Sequence, residues 1–398
     1  MFEKLKKIYH YSLALAGALI YQFPSRKIKV IAVTGTKGKT STVEIINAIL
    51  EEAGYQTVIS STLRFKVGEE SVNNRRKMTM PGRLFLQKIL RRGVNAGCDY
   101  AVVEMTSEGA KQFRHKFIEL DALVFTNIAP EHIESHGSYE NYLKAKLAIA
   151  HQLSRSKKSP RFIVVNGDDK EHTKFLQAAG KDAQKVVYKL SDNETLKLHT
   201  RLPGEFNLYN VLAAARLAET QGVGPEIIQE TLNNFAGIRG RMEPVGRQEF
   251  DVIVDYAHTP DSLRAAYKAL NNKRKICVLG GTGGGRDHWK RPLMGQIASE
   301  NCDRIFLTDE DPYDENPEEI VKQVASGIKS NNYKVIMDRR EAIREAVRIA
   351  QPGDVIIITG KGTDPYIMGA NGKKTPWDDA TVAHEELEKL RDARTTRS

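Results

Sequence analysis

Cysteine is scarce in this 398-residue chain: Cys98, Cys277 and Cys302 are the whole set. None of them forms a CxxC pair, so they offer neither a metal framework nor a set of disulfides, and a reducing compartment fits. A concentrated basic arm is also missing. The 60 Lys and Arg residues leave a net charge of +10, but they are spread along the chain among acids, without an aromatic-interleaved basic motif. Nucleic acid is therefore not expected as a partner, and an anionic small substrate accounts for the excess as well. There is no repeat and no low-complexity segment. The apolar stretch within the uncharged run from residue 8 to 25 is short for a membrane span.

What is present reads as an enzyme of ordinary composition, 40% hydrophobic and 28% charged, long enough for roughly two to three domains. Residues 31–42 read Ile-Ala-Val-Thr-Gly-Thr-Lys-Gly-Lys-Thr-Ser-Thr, between an apolar run and a helix-like stretch. A strand that ends in such a loop and turns into a helix is a phosphate cradle. Gly35 and Gly38 let backbone N–H groups approach phosphate oxygens, Lys39 reaches the β- and γ-phosphates, and Thr40 ligates Mg²⁺. Thr36, Lys37 and Ser41 complete the expected ATP-binding loop. Val33 stands where the general eight-position pattern has Gly, so the loop is a shorter version.

Lys4, Lys6 and Lys7 precede the run from 8 to 25, an arrangement similar to the basic and apolar regions of a signal peptide. Tyr9, His10, Tyr11 and Gln22 make that run polar at both ends. Three readings stay open: a helix packed on the domain behind it, an interfacial helix with a weak membrane or partner contact, and a cleaved signal. An ATP site directly downstream points to the cytoplasm.

Apolar strand-like runs alternate with helical segments at Lys29–Val33, Ala101–Glu104, Leu123–Thr126 and Phe162–Val165. After Gly237-Ile-Arg-Gly a second series follows at Val252–Asp255, Ile276–Leu279, Arg304–Leu307, Lys334–Met337 and Val355–Thr359. The rhythm predicts α/β architecture: a P-loop domain with a mostly parallel sheet, then a C-terminal Rossmann-like α/β domain. The expected segments are 1–27, helical; 28–238, the P-loop domain; and 239–398, the C-terminal domain. Ligands in such sheets bind beyond the carboxyl ends of strands, where Thr34, Glu104, Thr126, Asp255, Gly280 and Gly360 fall. Glu104 suits Mg²⁺ together with Thr40, since that ion takes few protein oxygens. His132, with His136 in the same polar loop, is a candidate ligand of a second metal.

Together the motifs Thr34-Gly-Thr-Lys-Gly-Lys-Thr, Thr126-Asn-Ile-Ala-Pro-Glu-His-Ile, Ala145-Lys146, Gly204-Glu-Phe-Asn-Leu-Tyr-Asn, Gly240-Arg-Met-Glu, Asp255-Tyr-Ala-His-Thr-Pro-Asp and Gly360-Lys-Gly resemble the Mur ligase superfamily. The pattern is most similar to MurE-type UDP-N-acetylmuramyl-peptide synthetases. The resemblance implies an ATP-dependent carboxylate–amine ligase in cell-wall precursor synthesis. A substrate carboxylate attacks the γ-phosphate, and an amino acid amine then displaces phosphate from the acyl phosphate. It implies two Mg²⁺ ions, with Thr40 and Glu104 on one and His132 on the other. It also implies that Lys146 becomes a CO₂-derived carbamate near the metals. Lys39, Lys146, Arg241 and His258 are then the catalytic set. Asn207 and Asn210 match an adenine-side motif, and Arg241 and Asp255 also serve the nucleotide. Thr79, Pro81, Thr106, Gln112 and Arg114 match positions that hold the acceptor. Small molecules are thus the expected partners: ATP, an amino acid and an anionic carboxylate acceptor.

Three departures bear on the substrates. The P-loop begins about thirty residues in, so the resemblance leaves no room for the family's N-terminal uridine-binding domain before it. Asp309-Glu-Asp-Pro-Tyr-Asp replaces the Asp-Asn-Pro-Arg of diaminopimelate-adding relatives, and Tyr313 stands where their Arg grips a distal carboxylate. Gly360-Lys-Gly-Thr-Asp replaces Gly-Lys-Gly-His-Glu, while Arg286 remains for the α-carboxylate. Asp311 and Asp364 together would attract an amine-ended side chain such as lysine. The alternatives are a ligase of the same superfamily acting on a polyglutamate or peptide end, and a catalytically dead scaffold.

Overall fold

A computed structural model describes residues 2–395 except 77, 132, 248, 271, 272, 286 and 287. It divides into two compact units, residues 1–201 with 206–236, and residues 202–205 with 237–398.

The first unit is built on eight strands: β1 (Lys29–Thr34), β2 (Thr57–Ser60), β3 (Arg64–Val67), β4 (Glu70–Asn73), β5 (Tyr100–Glu104), β6 (Ala122–Phe125), β7 (Arg161–Asn166) and β8 (Ala183–Tyr188). Their order is β4-β3-β2-β5-β1-β6-β7-β8. All pairings are parallel except the β2–β3 and β3–β4 pairs at one edge. β1 is central because it can be buried on both faces: Val30, Ile31, Ala32 and Val33 are all fully enclosed, as a parallel strand covered by helices must be. β5 and β6 flank it in register, with Val33 beside Glu104 and Thr34 beside Phe125. That pairing puts the phosphate loop, Glu104 and Thr126 at one sheet edge.

Three helices of this unit border the phosphate loop and the N-terminal segment: α1 (Phe2–Ile20), α2 (Lys39–Glu52) and α3 (Arg83–Asn95). α2 starts at Gly38, whose left-handed conformation turns the chain from loop into helix. The segment 1–27 packs within this unit. Ala14, Gly17 and Ala18 on α1 are buried, and a Cβ at Gly17 would lie 3.4 Å from the Leu84 Cα of α3. Among the described residues no helix is long and apolar enough to cross a membrane.

The second unit has six strands: β9 (Glu243–Arg247), β10 (Asp251–Asp255), β11 (Lys275–Leu279), β12 (Arg304–Leu307), β13 (Tyr333–Val335) and β14 (Val355–Thr359). The order β13-β12-β11-β14-β10-β9 is parallel apart from β9. The cysteines correct one expectation. Cys277 and Cys302, 25 residues apart in sequence, form a disulfide across a Cα–Cα distance of 6.1 Å. Cys98 is the free, buried thiol.

Candidate active site

The phosphate loop is held by the segment that follows β6. Thr36 N donates to the Asn127 carbonyl (2.8 Å), Lys37 N donates to Asn127 Oδ1 (2.9 Å), and Thr126 Oγ1 donates to the Lys37 carbonyl (2.7 Å). Thr36 Oγ1 also lies 2.8 Å from the Tyr142 hydroxyl. These bonds fix the loop before any ligand arrives, which is what preorganised anion binding requires. The two glycines are sterically obligatory. A Cβ at Gly35 would fall 1.9 Å from Thr126 Oγ1, and one at Gly38 would fall 2.2 Å from Asn210 Oδ1. Asn210 and Asn207, on the helix Glu205–Thr220, are buried and joined through Asn210 Nδ2 and Asn207 Oδ1 (3.2 Å). Within this unit Asn210 therefore packs on the loop itself.

Two lysines converge on one carbonyl. Lys39 Nζ donates to the carbonyls of Gly35 (2.9 Å) and Thr36 (2.8 Å), and Lys146 Nζ donates to that of Gly35 (2.6 Å). Lys37 pairs with Glu131 at 2.8 Å. Lys146, on the helix Tyr139–Ser154, is buried, and its ammonium is pushed well below the usual lysine range by burial first and the Lys39 charge second. The two carbonyls of the loop thus hold the ends of both lysines beside its backbone amides.

Glu104 is fully buried at the end of β5, and both its oxygens are engaged by one residue. Thr62 N donates to Oε1 (2.9 Å) and Thr62 Oγ1 donates to Oε2 (3.0 Å). Thr62 Oγ1 also lies 2.9 Å from Thr79 Oγ1, which joins the expected metal ligand to the expected acceptor loop. Thr62 was not anticipated; the polar turn Ser60-Ser61-Thr62 closing an apolar strand is the signal that could have found it. Pro81 is buried beside Met80, and Arg114 braces this loop through the Met80 carbonyl. Arg114 Nη2 donates to Gln112 Oε1 (2.8 Å). Arg83, also unanticipated, donates to the Gln112 carbonyl (2.9 Å) and to His10 Nδ1 (2.6 Å). Thr106 instead caps a short helix, accepting from Gly109 N at 3.1 Å. His136 stacks edge-on against Tyr142, whereas His132 lies outside the described residues.

Hydroxyl and carboxylate oxygens from Thr40 and Glu104 are the donor set a hard cation takes. Among the described residues no group of three His, Cys, Asp or Glu is placed to hold a metal unaided. Such a hydroxyl–carboxylate set fits Mg²⁺, which relies on phosphates and water for its remaining ligands.

In the second unit Asp255, at the end of β10, accepts from Met242 N and Ala257 N, both at 2.7 Å, and so fastens the Gly240-Arg-Met-Glu turn. The Arg241 guanidinium lies 4.3 Å over the Tyr256 ring, and His258 packs on the same ring at 4.7 Å. Gly360 N donates to the Asp255 carbonyl (3.2 Å). The two acids expected to attract an amine are arranged otherwise. Buried Lys361 sits 2.8 Å from Asp311 and 3.6 Å from Asp364, so an ammonium from the chain itself already neutralises Asp311. Tyr313 takes a left-handed backbone (φ 52°) and donates its N–H to the Met368 carbonyl (2.8 Å). Arg286 lies outside the described residues.

The first unit is a phosphate-loop nucleotide fold, and the second an α/β partner of the kind found in amide-forming ligases. Two family models match the chain: the Mur ligase middle domain over residues 33–218 and the Mur ligase glutamate ligase domain over residues 240–362. The chain is 34% identical to a UDP-N-acetylmuramoyl-L-alanyl-D-glutamate–2,6-diaminopimelate ligase of Clostridium acetobutylicum, covering 95% of this chain and 82% of that one. It is also 34% identical to a UDP-N-acetylmuramyl-tripeptide synthetase of a Roseiflexus species, with the same coverage of 95% and 82%. A solved structure of a UDP-N-acetylmuramoyl-L-alanyl-D-glutamate–2,6-diaminopimelate ligase superposes with a TM-score of 0.63 at 28% identity, over 92% of this chain and 79% of that one. The chain belongs to the Mur ligase family, beside its MurE-type tripeptide synthetases. It is an ATP-dependent ligase that forms amide bonds and uses ATP with Mg²⁺.

Proposed function

We propose that the chain adds an amino acid to the terminal carboxylate of a UDP-N-acetylmuramoyl-peptide in the cytoplasm, through an acyl phosphate. The observation that carries this reading is a pair of contact clusters at one sheet edge, where β1 and β5 pair in register with Val33 beside Glu104. Lys39 and Lys146 meet on Gly35, and Thr62 ties Glu104 to Thr79. Phosphoryl transfer needs positioning and charge neutralisation above all. Lys39 neutralises the γ-phosphate, while the loop amides fix it. Thr40 and Glu104 would hold one Mg²⁺ and His132 a second, and the ions would supply positive charge between phosphate and carboxylate oxygens. Thr79, Pro81, Gln112 and Arg114 orient the acceptor, and Arg286 takes the α-carboxylate of the incoming amino acid. Arg241, Asp255 and His258 serve the nucleotide from the C-terminal segment 239–398, with 28–238 as the ATPase domain.

Lys146 works as a carbamate. Its depressed ammonium leaves a neutral amine, whose lone pair attacks the carbon of CO₂. An N–H proton leaves to water, and a carboxylate results where an amine stood. That anion is favoured beside Lys37 and Lys39. Residues 8–25 add a contact surface outside this chemistry. The test of the function is phosphate release from ATP across acceptors and amino acids, with mass spectrometry of the products. Release that depends on a UDP-N-acetylmuramoyl-dipeptide and an amino acid is expected. Release that instead follows a polyglutamate or peptide acceptor would overturn the choice of substrate.

A further inference from the structure

α1 is packed with its apolar faces reversed. The side turned to α3 carries small residues, Ala14, Gly17 and Ala18, which allow close approach of the two helices. The opposite side carries Leu5, Ile8, Tyr9, Leu19 and Ile20, each more than half exposed. Their spacing (5, 8, 9, 19, 20) keeps them on one stripe of a helix about 28 Å long. Leu84 of α3 is exposed as well. The stripe is held firmly. Arg91 of α3 donates to the Tyr21 and Gln22 carbonyls at 2.8–3.0 Å, Arg83 donates to His10, and Tyr11 packs edge-on against Phe113 and Phe117.

The charge of the two segments that build this face is predominantly positive, with Glu3 at the start of α1 and Glu69, Glu70 and Asp99 at the borders of the second segment. Residues 4–27 contain five Lys or Arg, residues 71–98 contain seven, and neither stretch contains an Asp or Glu. These twelve positive charges exceed the +10 of the entire chain, so the remainder is slightly acidic. The packing of α1 on α3 brings these two basic segments of the sequence side by side. Lys6, Lys7, Arg26, Lys27, Arg75, Arg76 and Lys88 are exposed. Arg76 lies over the Phe85 ring of α3 at 4.5 Å, and Arg92 pairs with Glu70 at 2.6 Å.

We propose that the α1–α3 face is a docking surface for an anionic lipid membrane, with α1 lying in the interfacial plane and its stripe from Leu5 to Ile20 entering the headgroup boundary. An exposed apolar stripe flanked by lysine and arginine is what such a surface selects. No helix among the described residues spans a bilayer, so the association is peripheral. A second copy of the chain is a poorer occupant, because a self-contact would set two strongly basic faces against each other. A nucleic acid would meet the cations but leave the aliphatic stripe in water. The surface is separate from the phosphate loop and does not depend on which acceptor the ligase uses.

The experiment is co-sedimentation of the full-length protein with vesicles of phosphatidylcholine alone, or of phosphatidylcholine with about a third phosphatidylglycerol. Binding about tenfold or more tighter to the anionic vesicles is expected, weakening as salt is raised. An I8S/L19S variant should lose about tenfold of that binding, and so should K6E/K7E, both with unchanged melting temperature and phosphate release. Equal binding to the two vesicle types, no binding to either, or variants that bind as well as the parent would overturn the proposal. A concentration-dependent dimer dissolved by I8S/L19S would assign the stripe to a second copy instead. Preference for duplex nucleic acid over anionic vesicles would assign the face to that polymer. Should one variant fold poorly, the other, together with the salt titration of the parent, carries the decision.

Discussion

At the strand ends of the first unit the lysines rest on carbonyl oxygens: Lys39 and Lys146 both donate to Gly35. At the strand ends of the second unit the cations rest on carboxylates. Lys361 meets Asp311 at 2.8 Å, Arg339 makes two 2.8 Å bonds to Asp379, and Arg340 reaches Glu385 and Glu386. A carbonyl accepts a lysine's hydrogen bond without bringing an opposite charge of its own, whereas a buried carboxylate cancels the charge at the cost of desolvating both groups. The first unit thus holds these two lysines on the main chain of its phosphate loop, with Lys37 beside them on Glu131. The second locks Lys361, Arg339 and Arg340 onto carboxylates. The same contrast removes Arg339 and Arg340 as substitutes for the arginine that Tyr313 replaces, since both are already paired.

The sharpest way to break this comparison is in the second unit. Lys361→Met strands Asp311 as a buried carboxylate without its ammonium, and breaking such a pair from one side typically costs about 3–5 kcal/mol. Chemical denaturation should show that loss, and a K361M/D311N double variant should recover much of it. A single variant as stable as the parent would mean that the pair is solvated and that the contrast is wrong.

In the first unit the corresponding change should spare the fold and remove the chemistry. Lys39→Ala deletes a charge from the transferring phosphate, worth about 3–4 kcal/mol of transition-state stabilisation. Phosphate release should fall by about a hundredfold to a thousandfold, with the melting temperature almost unchanged. Near-parental turnover by a folded K39A protein would dismiss the phosphate-loop assignment.

Lys146 comes next, with a loss of about a hundredfold on substitution by alanine and partial recovery with added acetate or formate. Stripping CO₂ and bicarbonate should depress the parent's activity. The pH dependence has a definite sign. Burial and Lys39 lower the pKa of this amine, so the neutral, CO₂-reactive form gains as pH rises through that lowered value and is lost below it. Carbamate-dependent activity should therefore fall toward acid. Full activity of K146A in CO₂-free buffer would eliminate the carbamate.

How far these sites were readable in advance depends on what each contact joins. The buried strands announce themselves as apolar runs, and β1, β5, β6, β10 and β14 lie within a residue of where the sequence put them. β4 did not, because Glu70–Asn73 is exposed throughout and carries no core pattern. β9 did not either, since Pro244 and Gly246 argue against a strand. The phosphate loop is local in sequence, so its place as a turn between a strand and a helix was legible. The pairs Thr62–Glu104, Asp311–Lys361 and Cys277–Cys302 join residues distant in the chain, and no periodicity encodes them. The basic face of α1 and α3 was hidden for the same reason, its two halves being separated by more than forty residues.

Amino acid choice tests the second unit more gently. Tyr313 cannot offer a distal carboxylate the two parallel charge-assisted bonds of an arginine, a difference of about 1.5–3 kcal/mol. Lysine should therefore be preferred over diaminopimelate by roughly tenfold to a hundredfold in kcat/KM when the two compete at equal concentration. Asp364 lies 3.6 Å from the same Lys361 that pairs with Asp311, and Asp364→Asn tests its part in the choice, with a narrowed preference expected. A clear preference for diaminopimelate would require another basic residue in the pocket.

The smallest expected effect returns to the first unit and asks whether its carboxylate is held as rigidly as its lysines. Thr62 grips Glu104 twice, once through its backbone N–H (2.9 Å) and once through its hydroxyl (3.0 Å). Thr62→Val keeps the first and deletes the second at nearly constant volume. The loss of one charge-assisted hydrogen bond from a buried carboxylate is worth about 1.5 kcal/mol, or roughly tenfold. Because Thr62 acts through Glu104, the change should appear as a tenfold higher Mg²⁺ requirement, with turnover at saturating Mg²⁺ close to parental. Thr62→Ser, which restores the hydroxyl, should restore the Mg²⁺ requirement. A purely structural role would instead lower stability and leave the Mg²⁺ titration where it was.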